Sequence, residues 1–349
     1  MRTCEKIPGD CHFFHRSLQS RFRNNARAVF VLAQRVMGLA CKSRKLATDL
    51  LPNCIHMQIR LGFTIELDLA GRMAVVTALN VHPSRMKDLL EPDVVNISPE
   101  VQAEQFLDMF GNRCLRFLAP QGTLRLSNST LIEDSGDPDP IPHDEPQLSI
   151  ERLPAEAVPF LLASRYCEVD QLSGLAWQLF GNTPEGWPRV REILDWVHNQ
   201  VTFGYHFARS TKTAVDVLVE KQGVCRDFQH LAITMCRAMH IPARYATGYL
   251  GDIRIPPVPC PMDFSAWFEV YLGGRWWACD ARHNVPRVGR ILMATGRDAA
   301  DVAITTSFGQ SWLRSFEVVS YEVEESSVIQ ALNAGQNCAS ETLTVTSIL

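Results

Sequence analysis

The chain has 349 residues, 46% of them hydrophobic and 21% charged, with a formal net charge of −4; this is the make-up of a globular protein of more than one domain and excludes a low-complexity or fibrous one. The charge is uneven: residues 1–56 hold 10 Lys/Arg against 3 Asp/Glu, a net of +7, so the remainder is acidic at −11. An acidic body argues against nucleic acid as its partner, because phosphate binding needs clustered positive charge.

Within residues 1–56 the apolar stretch 26–40 is broken by Arg27, Gln34 and Arg35, too short and too charged for a secretory h-region or a bilayer span. No transmembrane segment is expected. The stretch reads as a basic leader, poorly ordered or an amphipathic helix, upstream of where the folded part starts; a membrane or partner contact is its alternative use. From Met57 onward the apolar residues alternate with period two, as in 58–67 and 72–81, and turn signals separate the runs. This predicts a small antiparallel β-domain over 57–148 that closes in the Pro/Asp/Gly-rich linker 134–142. Asn80-Val81-His82-Pro83 and Phe110-Gly111-Asn112 read as turns, and the acidic residues of 133–145 as a solvated loop.

Apolar residues at spacings of three and four predict helices over 160–165, 172–180, 190–201 and 213–219. These lead into a core domain over 149–325, with 326–349 a weakly patterned, flexible tail. Eleven cysteines are scattered with no Cys-x-x-Cys or Cys/His ligand spacing, so no metal or cofactor is expected. Unpatterned, apolar-flanked cysteines point to a reducing compartment, the cytoplasm, and Cys114, Cys167, Cys236 and Cys279 read as small core residues.

Two stretches carry chemistry. In Gly223-Val224-Cys225-Arg226-Asp227-Phe228 a glycine ends a loop and a cysteine opens an apolar-periodic run, Phe228, Leu231, Ala232, Met235 and Met239. A cysteine at a helix start faces unpaired backbone N–H groups and the positive end of the helix dipole, which favour the thiolate and predict a pKa below the free value of about 8.5. Forty residues on, 263–272 and 275–280 are aromatic period-two runs separated by Gly273-Gly274, a β-hairpin with a two-residue turn. That turn pairs Leu272 with Arg275 and, counting back, Trp267 with Asp280 and Ser265 with Arg282. Ser265 and Asp280 are then diagonal neighbours on one face, roughly 7–8 Å apart, a gap that an imidazole bridges and a hydroxyl does not.

A glycine-X-cysteine opening a helix, a Trp-containing strand and an aspartate beyond its hairpin resemble the transglutaminase-like superfamily. So do Ile241-Pro242-Ala243-Arg244-Tyr245, Thr247-Gly248-Tyr249-Leu250 and Asp280-Ala281-Arg282-His283-Asn284. The resemblance covers about 57–320. It implies an α+β fold, a papain-like cysteine core preceded by the β-domain, and a Cys–His–Asp triad acting on a protein or peptide substrate. Carried over, Cys225 falls in the nucleophile slot and Asp280 in that of the orienting acid. The histidine slot holds Ser265.

Serine is too weak a base for the missing role. Among nearby histidines, His230 lies about 140° round the helix from Cys225, and His240 is at its far end. His206 sits in an upstream connection beside Tyr205, an aromatic that could line an oxyanion pocket. His283 pairs formally with Phe264 and faces away from Ser265 unless the run to Pro286 turns out of the sheet, which makes it the candidate substitute base. Three readings stay open: a cysteine enzyme acting on Gln side chains or on amide and isopeptide bonds, by hydrolysis or transfer; a catalytically weakened relative that binds peptides; and an assembly module.

Overall fold

The computed structural model describes residues 57–257 and 262–323; the leader 1–56 and the tail 326–349 lie outside the described residues. Six strands open the fold: β1 Met57–Leu69, β2 Met73–Thr77, β3 Asn96–Ser98, β4 Ala103–Leu107, β5 Arg113–Ala119 and β6 Gly122–Asp134. Two helices, α1 Val169–Phe180 and α2 Trp187–Gln200, lead to the short β7 Thr202–Phe203, helix α3 Ala214–Glu220 and β8 Gln222–Gly223. Then come helix α4 Cys225–Ala238 and strands β9 Ala243–Leu250, β10 Ser265–Leu272, β11 Arg275–Cys279, β12 Arg290–Gly296, β13 Thr305–Ser307 and β14 Ser311–Glu322.

The strands form two layers of β-sandwich, one core sheet and the short parallel pair β7-β8. In the sandwich, the order β14-β1-β6-β3 faces β13-β2-β5-β4, and the core sheet runs β11-β10-β9-β12. Period two decides the faces: Ile59, Leu61, Phe63 and Ile65 of β1 are buried with Leu124, Leu126, Val75 and Phe117 in one apolar cluster. The core sheet is apolar on both sides. Ala266, Phe268, Val270 and Leu272 pack against α1, α2 and α4, whereas Tyr249, Ile291 and Met293 join the sandwich cluster. A sheet covered on both faces is buried throughout, and seven of the eight residues of β9 are buried, Tyr245 to Leu250 without a break.

Three local differences from the sequence reading have physical causes. Strands β13 and β14 pair with β2 and β1, so the β-domain expected over 57–148 also takes in 305–322, from the range assigned to the core. Their edges complete sheets that would otherwise expose unpaired backbone groups along β1 and β2. The stretch 160–165 is not a helix; only the 3₁₀ turn Val158–Leu161 forms there, following Pro154 and containing Pro159, each of which lacks the N–H that a helix interior requires. Asn80 lies at a bend, as its turn reading expects, but it also holds a buried carboxylate that no local spacing announces: its Nδ2 donates to Asp93 Oδ2 at 3.1 Å, as do Val81 N at 2.9 Å and Arg113 Nη1 at 2.8 Å, while Asn128 Nδ2 donates to Oδ1 at 2.6 Å.

Cys114, Cys167, Cys236 and Cys279 are buried and free. Burial pushes the thiols of Cys114 and Cys167 up to about 11.

Two outcomes follow from these buried groups. Asp93→Ala strands the Arg113 guanidinium, a change that costs about 3–5 kcal/mol for a buried pair and lowers Tm by about 10 °C in a chain of this size. A thermal scan reads it; an unchanged Tm refutes the role given to the network. For the thiols, the folded state keeps protons that the unfolded state releases above its own pKa of about 8.5. Stability is therefore full below that pH and declines as pH rises toward about 11, where the folded thiols ionise. Urea midpoints that stay level from pH 8 to 11 contradict this.

Candidate active site

Cys225 is the first residue of α4, and the local sequence sets it there. The carboxylate of Asp227 folds back on the helix start, where its Oδ2 accepts from Val224 N at 3.0 Å. Gly223 makes room for that return, since a Cβ there would lie 2.6 Å from Asp227 Cβ. Phe228, Leu231, Ala232, Met235 and Met239 are all buried, as their spacing predicts. They anchor the helix and leave its N-terminus at a cleft of about 510 Å³, lined by Cys225, Tyr205, Tyr245, Thr247, Asp263 and Ala266 among others.

The expected depression of the Cys225 pKa does not occur. Burial pushes the thiol up to about 11; the charge of Arg282 and the backbone N–H groups of Ala266 and Arg226 act in the other direction, and Asp263 adds to the rise. Cys225 is partly open to the cleft. Desolvation by the walls outweighs the helix N-terminus here, because the dipole contributes about 0.3–1 kcal/mol at an exposed end while removing water opposes the anion by more.

The hairpin register is the one counted from the sequence: Leu272 faces Arg275, Val270 faces Trp277 and Phe268 faces Cys279. Gly273 and Gly274 have φ of 60° and 95°, the positive values a two-residue hairpin turn requires. The ladder ends at Cys279, and Asp280 lies one step beyond. Arg290 fixes its side: the guanidinium sits 4.8 Å from the Trp267 ring centroid and 3.5 Å from Asp280 Oδ2, which places Asp280 on the Trp267 face. Ser265 shares that face by alternation. Its Oγ is buried and has no hydrogen-bond partner among the described residues, and its carbonyl accepts from Thr247 Oγ1 at 3.0 Å. Among the described residues no hydrogen bond joins Ser265 to Asp280.

Asp280 is instead held by other groups. Oδ1 accepts from Gln229 Nε2 at 3.1 Å, from Arg282 N at 3.0 Å and from His283 N at 3.1 Å. Oδ2 pairs with His283 Nδ1 at 2.8 Å. Burial alone would push this carboxyl up, but the His283 hydrogen bond and the Arg290 charge hold it well below the usual carboxylate range. The chain does turn out of the sheet after Asp280, as Asn284 N donates back to Asp280 O at 2.8 Å, and this brings His283 onto the acid. Neither His283 nor any other histidine is among the described residues that line the Cys225 cleft. His206 lies with its ring 3.9 Å from that of Phe207, and His230 is buried, its Nε2 accepting from Ala299 N at 3.2 Å. Tyr205 does line the cleft.

Gln229 and Arg290 escaped the sequence reading. Gln229 is one turn past Cys225; its Nε2 also donates to Ala266 O at 3.2 Å and its Oε1 accepts from Ala281 N at 3.1 Å, so one amide ties α4 to both ends of the hairpin. A polar residue inside a buried helix face was the available signal. Arg290 gave none, since its second partner, Asp139 at 2.9 Å, is 151 residues away. Among the described residues no group of His, Cys, Asp or Glu side chains could hold a metal, and no helix is long and apolar enough to cross a membrane.

Comparison with known proteins bears on the same region. The Transglut_core family, described as the transglutaminase-like superfamily, matches residues 175–281, which include Cys225, Ser265 and Asp280. An uncharacterized protein of Mycobacterium leprae is 35% identical over 117 residues, 33% of this chain; the match spans 39% of that protein's length. A solved structure from Cytophaga hutchinsonii, described as a "putative cysteine protease", is 30% identical and superposes with a TM-score of 0.67 over 77% of this chain and 91% of its own. An identity of that size across nine-tenths of a solved protein, with a family match over the cysteine helix and the hairpin, means that the chain belongs to the transglutaminase-like superfamily.

Proposed function

We propose that the protein is a cysteine-nucleophile enzyme that opens Gln side-chain amides or other amide and isopeptide bonds in a protein or peptide, passing the acyl group to water or to an amine. The observation that carries this is the placement of Cys225 on the first turn of α4 at the floor of a substrate-sized cleft. The sulfur, once its proton has gone to solvent, attacks the amide carbon. The first N–H groups of α4 have no helical acceptor and are suited to receive the oxyanion. Loss of ammonia or amine leaves a thioester, which water or an acceptor amine then resolves. The five described free cysteines support a reducing compartment such as the cytoplasm.

A thiol near 11 leaves about one site in a few thousand ionised at pH 7.5, and a missing general base typically costs a further 10²- to 10⁴-fold or so. The unpartnered Ser265 hydroxyl thus favours a second reading, a weakened relative that binds peptides in this cleft or serves as an assembly module without turning substrate over.

Alkylation and turnover separate the two. Iodoacetamide should label Cys225 slowly at pH 7 and about tenfold faster for each unit of pH up to the thiol pKa; rapid labelling at pH 6 would show that the helix start prevails over burial. Ser265→His supplies an imidazole on the Asp280 face. It should raise the rate on a blocked Gln-Gly dipeptide with hydroxylamine by about tenfold or more, equivalent to about 1.4 kcal/mol of barrier. If the rate does not rise while His283→Ala or His206→Ala abolishes it, the base is elsewhere in this chain. If no variant has any rate and Cys225→Ala still binds a native peptide unchanged, the binding reading replaces the enzyme.

A further inference from the structure

A cavity of about 630 Å³ lies apart from the Cys225 cleft and shares no lining residue with it. It lies along β11, an edge strand of the core sheet. The hairpin pairing decides which backbone groups of β11 face it. Tyr271 N donates to Pro242 O, on the β9 side, so the backbone of Trp276, its partner across the ladder, points to the open side. Two residues on, Ala278 does the same. No hydrogen bond among the described residues reaches the Ala278 N–H or C=O, and Ala278 lines the cavity.

The walls beside that open edge are Trp187, Leu194, Ile141 and Val285, an apolar seat of side-chain dimensions. Two carboxylates also line it, Asp139 and Asp280, but both are engaged by Arg290, which removes any call for a cation. Arg191, a third charged lining residue, is held by Asp195 at 3.0 Å; beside the His143 ring, what remains is a hydrogen-bond acceptor. Asn284 Oδ1 is buried without a partner among the described residues, while its Nδ2 is fixed on Asp195 Oδ1 at 2.7 Å. An open strand edge, an apolar seat and one free acceptor match an extended, uncharged peptide: its main chain pairs with the edge and alternate side chains enter pockets. We propose that β11 and this cavity form a second peptide-binding site, which adds an extended segment at Ala278 and seats one large apolar side chain against Trp187. The site goes beyond the reaction assigned to Cys225 and does not require it.

The test uses the full chain and, in parallel, its Cys225→Ala form, titrated with the blocked tripeptide acetyl-Thr-Phe-Thr-amide. Binding is followed by tryptophan fluorescence and by hydrogen exchange at the Ala278 amide. Expected are saturable binding in both proteins, exchange at Ala278 slowed about tenfold or more as an edge N–H gains a partner, and a loss of about tenfold or more in affinity with Val285→Arg. Val285 is exposed, so an unchanged Tm certifies the fold of that variant. The proposal is overturned by the absence of saturable binding at millimolar peptide, or by equal affinity for acetyl-Thr-Ala-Thr-amide, which lacks the apolar anchor. Equal affinity for phenylalaninamide alone overturns strand addition. Binding that vanishes in Cys225→Ala assigns the peptide to the cleft instead.

Discussion

The buried carboxylate of Asp280 holds the core together. A charge enclosed by protein costs several kcal/mol unless its lone pairs are filled, and here the contacts that fill them come from three different parts of the fold. Gln229 brings α4, Arg290 brings β12, and His283 with Arg282 N brings the turn that follows β11. Arg290 carries the tie further, to Asp139 on the connection out of the sandwich. The hairpin therefore cannot slide along α4 without leaving a charge unpaired, and the rim of the cleft is set by the same group. In a papain-like core the acid is expected to orient an imidazole; here it does so at position 283 while also acting as a structural pin.

At Cys225 two effects of burial and dipole compete, and they scale differently. The helix start offers a fixed fraction of a charge, while desolvation grows with how completely the walls enclose the sulfur. Tyr245 and Ala266 on one side and the first turn of α4 on the other supply the enclosure. Arg282 is the counterweight: its guanidinium, stacked over the Phe203 ring at 3.8 Å, favours the thiolate by its charge. A ligand that moved Arg282 toward the sulfur, or screened Asp263, would shift the balance without any change in the helix.

Much of this was legible in the sequence because it rests on local periodicity. The α4 face, the Gly273-Gly274 turn and the register that puts Ser265 and Asp280 on one side all follow from spacings of two, three and four residues. The fold class follows from the same patterns together with the family resemblance. What was not legible depends on partners distant in the chain. Arg290 with Asp139, Asn80 with Asp93, and β14 with β1 are pairings that no spacing rule reaches. The thiol pKa is not legible for a related reason: the helix start is visible in Gly223-Val224-Cys225, but the walls that desolvate the sulfur come from β9, β10 and the upstream connection.

The pairing of β1 with β14 has a consequence for how the molecule is made. β1 is flanked by β6 on one side and β14 on the other, with Ile59 opposite both Ile132 and Glu322. On the ribosome the β6 side can form early, whereas the β14 side waits until some two hundred further residues have been synthesised. Throughout that interval a long apolar strand keeps an open edge, the kind of surface on which nascent chains associate with one another. Non-local pairing of this order also slows folding. The growing chain would thus rely on chaperones, or on early collapse of the α4 core, to reach the stage at which β14 closes the sheet begun by β1.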